Sequence, residues 1–429
     1  MFLQKINQLK NSLTPKERVF VFFAMLAGFL IGADYAIIRP VSHSIFIHFH
    51  GAQAFPYAWL YALPFNLGVV ALYNFLLPKV GCFRFFWITA VIVMLGNAIA
   101  GLFILQSSWF CYVFYIWKEL YVLLMLQQLW SVIHMTIHLK NAKYLYGILF
   151  GFGALGGCLG SLIPGFFAVR IGSESLLFST IPLYFILIYS YFKLLRYSGA
   201  ANESKIKETS NFSSLAQGVK LISSSRLLIA ILCMTFFMQI TATITDFQFQ
   251  FFLEDAYPNK DIRTEFFGKI LSLGNVMTMS FQFFGTFLLV RAIGMQNAHL
   301  SVPLVMSIIT SSFILFPSMG PMTCCFLCIK CFDFSLFCVI KEMLYIPMRQ
   351  EEKFQAKALI DVFMSRASKV IASLVILFFQ FFFQTHSFVI LSWVNLGFFI
   401  IWCVLIITIT ADYKACAEAS SKTEDLGTS

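Results

Sequence analysis

The chain has 429 residues, of which 59% are hydrophobic and 12% charged, and its mean hydropathy is +0.81. A soluble domain, which must cover itself with polar side chains, carries roughly 25% charged residues. The composition therefore excludes a soluble globular protein and predicts an integral membrane protein. The net charge of +10 does not indicate nucleic-acid binding, because the Lys and Arg residues lie mostly between apolar runs.

A basic stretch containing Lys5, Lys10, Lys16 and Arg18 precedes an apolar run over residues 19–38. This run has about 20 residues, which is longer than the roughly 7–15 apolar residues of a signal peptide. No small-residue cleavage site follows it. We therefore expect an uncleaved first transmembrane helix.

Transmembrane helices need about 17–25 mostly apolar residues to cross about 30 Å of hydrocarbon. About twelve runs of this length predict an all-α membrane protein. Their approximate bounds are 19–38, 54–77, 83–106, 109–133, 144–169, 175–197, 227–253, 266–290, 299–317, 321–340, 362–384 and 387–411.

The basic residues between these spans predict the orientation, because Lys and Arg resist translocation across the membrane. With the N-terminus inside, most basic residues fall in cytoplasmic segments. Those on the opposite side are Arg39, Arg170, Lys260 and Arg263. We therefore expect both termini in the cytoplasm.

A long polar stretch separates spans six and seven and predicts two six-helix halves. Transporters with parallel repeats are organised in this way and bind substrate near the bilayer midplane between the halves. Alternatively, the chain is a receptor or a membrane enzyme, and its division into two sets of six spans is accidental. The predicted domains are a segment 1–18, a bundle 19–197, a cytoplasmic linker 198–226, a second bundle 227–411 and a tail 412–429.

Span five, LYGILFGFGALGGCLGSLIPGFF, is rich in glycine. Small residues four apart, such as Gly153 and Gly157 or Gly156 and Gly160, let a second helix approach closely. We interpret this face as a helix-packing surface. The alternative is that the face also moves against its neighbour during transport.

Ionisable side chains inside spans are costly, so they usually face a partner or a water-filled cavity. Each has a simpler alternative as an internal ion pair or as a side chain that reaches the interface. Lys118 and Glu119 are adjacent and point about 100° apart on a helix, so we expect that they do not simply neutralise each other. The candidates are Asp34, Arg39, Lys118, Glu119, Asp246, Lys330, Asp333, Asp361, Arg366 and Lys369.

Sequence signatures of enzymes and metal sites are weak or missing. No GxxxxGK[ST] loop is present, which argues against ATP hydrolysis at a P-loop. His134 and His138 are four residues apart, but no HExxH motif accompanies them, so an interfacial pair is the default interpretation. Cys324, Cys328 and Cys331 share a helix face with a spacing that matches no compact zinc motif. We predict no enzymatic activity, no metal and no cofactor.

The stretch 334–369, FSLFCVIKEMLYIPMRQEEKFQAKALIDVFMSRASK, resembles the signature of the ATP/ADP translocase family of obligate intracellular bacteria and plastids. Its core, KEMLYIP followed by EEKFQAKALIDV, is similar to that family's KEMxYIPL and KxKxKAxID patterns. Weaker likeness covers 34–47, 118–120, 141–147 and 246–268. The resemblance implies the major facilitator fold and exchange of nucleoside triphosphate for diphosphate by alternating access.

The resemblance also implies a substrate site. The family's acidic positions in spans four and seven correspond to Glu119 and Asp246, and its Lys near the start of span eleven corresponds to Lys369. A nucleotide carries several negative charges and a flat base, so cations and aromatic faces suit it. The predicted translocation site comprises Arg39, Lys118, Glu119, Asp246, Lys341, Glu342, Asp361 and Lys369, with Lys143 and Lys357 at further matching basic positions.

The chain departs from the family pattern at several basic positions. Val41 and Ser42 stand where the family has Lys after its first-span Arg, and His43 stands in place of an acid. Gln250 replaces a basic residue of span seven, and Asp333 replaces a Lys of span ten. Fewer cations weaken the case for a polyphosphate substrate.

Two alternatives therefore stand beside nucleotide exchange. One is a proton-coupled transporter of a smaller, less charged metabolite, with Glu119 or Asp246 carrying the proton. The other is a receptor or structural protein without transport. The expected partners are a small-molecule substrate and the lipid bilayer, not nucleic acid, and we expect a monomer in the inner cell membrane.

Overall fold

A computed structural model describes residues 14–136, 139–198, 221–223, 225–345, 360, 364–383 and 387–427. The described residues contain helices and no strand, which confirms the predicted all-α fold. Short 3-10 helices cover Ala52–Ala54 and Ser175–Thr180, and π-helical segments cover Phe281–Gly285 and Asp333–Phe337. The α-helices are α1 (Pro15–His50), α2 (Phe55–Val80), α3 (Cys82–Phe103), α4 (Ser108–Thr136), α5 (Leu139–Ile171), α6 (Ile181–Ser198), α7 (Arg226–Ala256), α8 (Lys260–Ser280), α9 (Thr286–Leu315), α10 (Met319–Phe332), α11 (Cys338–Leu344), α12 (Ser365–Phe383) and α13 (Ser387–Gly427).

Eleven helices in the described part of the chain are long and apolar enough to cross a membrane. The twelfth predicted run, 266–290, is not among these eleven helices. It begins inside α8, whose first turns are polar, and the helical structure continues through it into α9. Gly294 interrupts α9 with φ 81° and ψ 163°. The part of α9 before Gly294 contains the end of the predicted run 266–290, and the part after it contains most of the run 299–317. Glycine accepts this backbone conformation without the steric cost that a Cβ would bring.

The first helix has a strong N-terminal signal. Thr14 accepts a hydrogen bond from the backbone N–H of Glu17 (3.3 Å), and the Glu17 carboxylate accepts one from the backbone N–H of Thr14 (2.8 Å). Pro15 follows at the first helical position, where its missing N–H costs nothing. The helix continues beyond the predicted end at residue 38, and the segment 41–47, which is small or apolar except for His43, is buried.

The chain forms two compact units, and the first comprises Met1–Ala54, Tyr61–Lys207 and Tyr257–Asn275. Within it, α1 packs against α4, α5 and α6. The α1–α5 contact is so close that a Cβ added to Gly156 would collide with the backbone of Phe29, and a Cβ added to Gly160 with that of Ala33. The glycine face of span five is therefore a packing surface.

The second unit comprises Phe55–Leu60, Glu208–Ala256 and Val276–Ser429. In it, α7 packs against α10, α12 and α13, and α9 packs against α10 and α13. The core includes Trp402, whose ring meets the edge of Phe337 at a centroid distance of 5.6 Å. Most of the predicted linker lies outside the described residues, so the predicted domain bounds stay a prediction.

Large apolar side chains cover the outer faces of the helices. The exposed fraction reaches 79% for Phe381, 73% for Trp109 and 72% for Leu315. Soluble monomers rarely expose large contiguous apolar patches, whereas lipid chains solvate such surfaces well. These exposed side chains are what a multi-pass membrane protein presents to the bilayer.

Candidate functional site

Arg39 lies in α1 of the first unit, half-buried among aromatic rings. Its guanidinium carbon is 5.9 Å from the ring centroid of Tyr35 and 5.8 Å from that of Phe267. Both distances are within the range of a cation–π contact. The rings therefore support a cation inside a span without neutralising its charge.

Lys118 and Glu119 lie on α4 of the same unit. Lys118 is fully buried, with its Nζ 3.6 Å from Glu119 Oε1 and 4.2 Å from the ring centroid of Tyr115. The expectation that the two neighbours do not pair is wrong, because the 100° angle describes their Cβ directions and the long lysine stem bends back. Glu119 keeps 24% of its side chain exposed, so its other face remains accessible.

The second unit holds Asp246, Lys341, Glu342 and Lys369, all half-buried. Asp246 lies on α7. Lys341 lies on α11 with its Nζ 5.7 Å from the ring centroid of Phe337. Lys369 lies on α12 with its Nζ 5.2 Å from the ring centroid of Trp59, a residue of the same unit.

Several residues named from the sequence are not placed. Asp361, Lys357 and His138 lie outside the described residues, and only the backbone is described at Lys143 and His134. The described part of the chain contains no group of three or more His, Cys, Asp or Glu side chains arranged to hold a metal ion. Among the predicted site residues, the structure describes the side chains of Arg39, Lys118, Glu119, Asp246, Lys341, Glu342 and Lys369.

The positions at which this chain departs from the family pattern hold hydrogen-bonding or packing side chains. Ser42 donates to the carbonyl oxygen of Arg39 (3.1 Å). His43 is buried, with ring centroids 5.2 Å from Tyr115 and 5.6 Å from Phe267.

The other two replaced positions lie in the second unit. Gln250 is fully buried on α7. The carboxylate of Asp333 accepts hydrogen bonds from the side-chain nitrogen of Gln239, at 3.0 Å on one oxygen and 3.3 Å on the other. In both units, neutral or acidic groups therefore stand where the family pattern has cations.

The structure also shows a polar cluster that the sequence did not reveal, at the start of α8 in the first unit. Lys260 Nζ donates to Glu174 (2.6 Å) and Asp261 (2.9 Å). Asp261 also accepts from the backbone N–H of Ser173 (2.8 Å) and from its hydroxyl (2.6 Å). Glu174 and Ser173 lie far from α8 in sequence, so no spacing rule predicts this contact.

The cluster shifts two ionisation equilibria outside the apolar spans. Burial works against the charged form of both groups. The hydrogen bonds from Ser173 and Lys260 nevertheless hold the pKa of Asp261 below its usual value. The bonds to Glu174 and Asp261 likewise raise the pKa of Lys260. Both groups are therefore stabilised in their charged forms.

Arg263, one turn further along α8, is buried and bonds to three backbone oxygens. Its guanidinium donates to the carbonyls of Tyr257 (3.0 Å), Pro258 (3.1 Å) and Ser44 (3.2 Å). Ser44 belongs to the last turns of α1. This arginine therefore joins α1 to the turn before α8, and the sequence marked it only as a basic residue outside the spans.

Comparison with known proteins supports the resemblance. Residues 319–413 match the family model described as TLC ATP/ADP transporter. No curated protein matches the chain significantly.

Solved transporter structures share the fold. A point mutant of the nucleoside transporter NupG has a TM-score of 0.66 at 10% identity, covering 91% of this chain and 99% of that one. The POT family transporter PepTSo has a TM-score of 0.63 at 10% identity, covering 92% and 98%. A D-xylose-proton symporter has a TM-score of 0.60 at 13% identity, covering 90% and 96%.

At these identities the structural likeness concerns the fold, and the family match concerns the last spans. The expectation of a major-facilitator-like helical membrane protein is confirmed. The chain is a multi-pass membrane transporter, not an enzyme, and over residues 319–413 it is similar to the TLC ATP/ADP transporter family.

Proposed function

We propose that the chain exchanges nucleotides, ATP for ADP or another triphosphate and diphosphate pair, by alternating access in the inner cell membrane. The family match over residues 319–413 carries this proposal. The protein acts as a monomer with both termini in the cytoplasm. One structural neighbour is a nucleoside transporter, and a nucleoside is the part of a nucleotide that lacks the phosphates.

The chemistry of the site supports a charged aromatic cargo. In the first unit, Arg39 and Lys118 are cations held against aromatic rings. In the second unit, Lys369 and Lys341 have the same arrangement. Phosphate oxygens bind Lys and Arg, and a base stacks on aromatic faces. Glu119 is the acidic candidate of the first unit, and Asp246 is that of the second.

A second function is supported by the replaced cations. Asp333 places a carboxylate, bonded to Gln239, where the family pattern has a lysine, and Gln250 is neutral. These changes favour a less charged cargo. The alternative is a proton-coupled transporter of a smaller metabolite, with Glu119 or Asp246 carrying the proton.

Exchange by the purified protein in liposomes separates the two functions. Labelled ATP outside should enter in exchange for unlabelled ADP inside at neutral pH. The variants Glu119→Gln, Asp246→Asn and Lys369→Gln should each abolish this exchange while inserting normally. Absence of exchange in the unmodified protein, together with uptake of an uncharged or singly charged metabolite from a labelled panel, would reject nucleotides as cargo.

A further inference from the structure

One carboxyl group in the interior of the first unit has no part in the proposed substrate site. Asp34 lies on α1 and is 2% exposed. Its Oδ2 accepts hydrogen bonds from the hydroxyl groups of Tyr184 on α6 (2.8 Å) and Tyr121 on α4 (3.1 Å). Its Oδ1 is equally buried and has no hydrogen-bond partner among the described residues.

This pattern of bonds fits a protonated carboxylic acid. A carbonyl oxygen has two lone pairs, so Oδ2 as the C=O of the acid accepts both tyrosine hydroxyls. Oδ1 is then the oxygen that carries the proton. An ionised group would instead leave a charged oxygen buried without a donor, which is costly in an apolar interior.

The charged groups near the tyrosine donors have other contacts. On α4, Lys118 and Glu119 lie three and two residues before Tyr121, and their charged groups contact each other at 3.6 Å. On α6, the residue that faces Asp34 is Tyr184 itself. Among the described residues, no Lys or Arg forms an ion pair with Asp34.

The remaining elements packed against this part of α1 are neutral. The residues of α5 that approach the backbone of α1 include Gly153, Gly156 and Gly160, which carry no charge. The 3-10 helix Ser175–Thr180 contains no titratable residue, and its Thr180 accepts a hydrogen bond from Asn97 of α3 (3.0 Å). On α1 itself, Arg39 lies against aromatic rings. Nothing in these elements fixes the charge of Asp34, so its charge can follow the proton concentration.

We propose that Asp34, held by Tyr121 and Tyr184, is a proton-binding site that couples solute movement to a proton, an inference that rests on the proposed transport function. Water delivers the proton to Oδ1, which converts the carboxylate into a neutral acid, and release returns the proton to water. The protonated form stabilises the arrangement in which Asp34 is buried. The ionised form favours an arrangement in which water reaches it.

The first test compares exchange with accumulation in liposomes. Asp34→Asn keeps a carbonyl oxygen for the two tyrosines but binds no exchangeable proton. It should retain ATP/ADP exchange at equal pH and lose the accumulation of labelled ATP that an imposed pH gradient drives in the unmodified protein. The matched control is Asp255→Asn, which changes an exposed carboxyl group at the end of α7 and should leave both measurements unchanged.

The second test detects the proton without transport. Infrared difference spectra of the purified protein between acidic and alkaline buffer should contain a C=O band of a protonated carboxyl group that Asp34→Asn lacks and Asp255→Asn retains. Tyr184→Phe removes one hydrogen bond from that C=O and should move the band to higher frequency. This second variant keeps the test valid if Asp34→Asn fails to fold.

The outcomes separate this inference from the proposed function. Accumulation by Asp34→Asn that equals that of the unmodified protein would overturn it, and so would a spectrum unchanged by Asp34→Asn. A pH gradient without effect on ATP accumulation would also overturn it when the unmodified protein does exchange nucleotides. If the unmodified protein exchanges no nucleotide but shows the Asp34 band, the nucleotide proposal fails and the proton site is supported.

Discussion

A lysine against a tryptophan ring is the best-defined contact of the candidate site in the second unit. Lys369 Nζ is 5.2 Å from the ring centroid of Trp59, which is buried. A cation–π contact contributes about 0.5–1 kcal/mol when exposed and about 2 kcal/mol when desolvated. Lys369→Gln removes the cation and keeps a polar side chain of similar length. We expect it to abolish ATP/ADP exchange in liposomes at unchanged protein content.

A matched lysine outside the site provides the control. Lys79 Nζ is 3.6 Å from the ring centroid of Phe75 at the exposed end of α2. Lys79→Gln makes the same chemical change and should leave exchange intact. If both variants lose exchange equally, the loss comes from folding or membrane insertion and not from the site. If Lys369→Gln exchanges normally, Lys369 is not part of the site.

At the scale of single residues, the sequence predicted which groups are costly in a membrane but not what they contact. Asp34 was a candidate because it interrupts an apolar run. Its donors, Tyr121 and Tyr184, lie in other spans, and no spacing in the chain joins them. The prediction for Lys118 and Glu119 failed because helix geometry gives the direction of the Cβ atom, whereas flexible side chains set the positions of the charges.

The contact between α1 and α5 gives a prediction for a whole element. Gly156 of α5 leaves no room for a Cβ, since it would collide with the backbone of Phe29 on α1. Overpacking of this kind costs about 1–3 kcal/mol, and here backbone rather than a movable side chain must give way. Gly156→Ala should therefore lower the unfolding temperature of the purified protein in detergent.

The same helix contains the control. A Cβ on Gly153 would meet its nearest atom, the carbonyl oxygen of Gly28, at 3.7 Å, which is an ordinary contact. Gly153→Ala should thus unfold near the temperature of the unmodified protein. If both variants unfold at the same temperature, close backbone approach is not what makes glycine necessary in α5.

The cluster at the start of α8 predicts how stability depends on pH. The pKa of Asp261 is lowered in the folded protein, so its contribution is present above the unfolded value of about 3.9 and is lost as the pH falls through the folded value. The pKa of Lys260 is raised, so its contribution is present below about 10.4 and is lost only at higher pH. Asp261→Asn should lower the unfolding temperature at neutral pH and flatten its fall in acid.

Asp255→Asn serves as the comparison for this cluster, because it removes an exposed carboxyl group a few residues before Asp261. Its unfolding temperature should follow that of the unmodified protein at every pH. An Asp261→Asn protein that loses stability in acid as steeply as the unmodified protein would show that other carboxyl groups cause the acid dependence.

At the scale of the whole molecule, the sequence predicted the fold well because a bilayer leaves few choices. Backbone groups without water must bond within their own segment, so apolar runs become helices. The bounds were less accurate at α1 and α8, since hydropathy marks the part of a helix in lipid and not where the helix ends. The cargo could not be predicted in the same way, because one fold serves many substrates and small changes in the site select among them.

Topology is the prediction that belongs to the whole chain, and it also tests the run over 266–290. Twelve spans place both termini on one side, and the basic residues place that side in the cytoplasm. A fluorescent protein fused after Ser429 should fluoresce, and alkaline phosphatase should be active when fused after Gly172 and inactive after Ser198. Phosphatase activity at the C-terminus with the other two fusions as expected would mean an odd number of spans, with α8 lying outside the membrane. If both ends are cytoplasmic, α8 crosses the membrane despite its polar first turns.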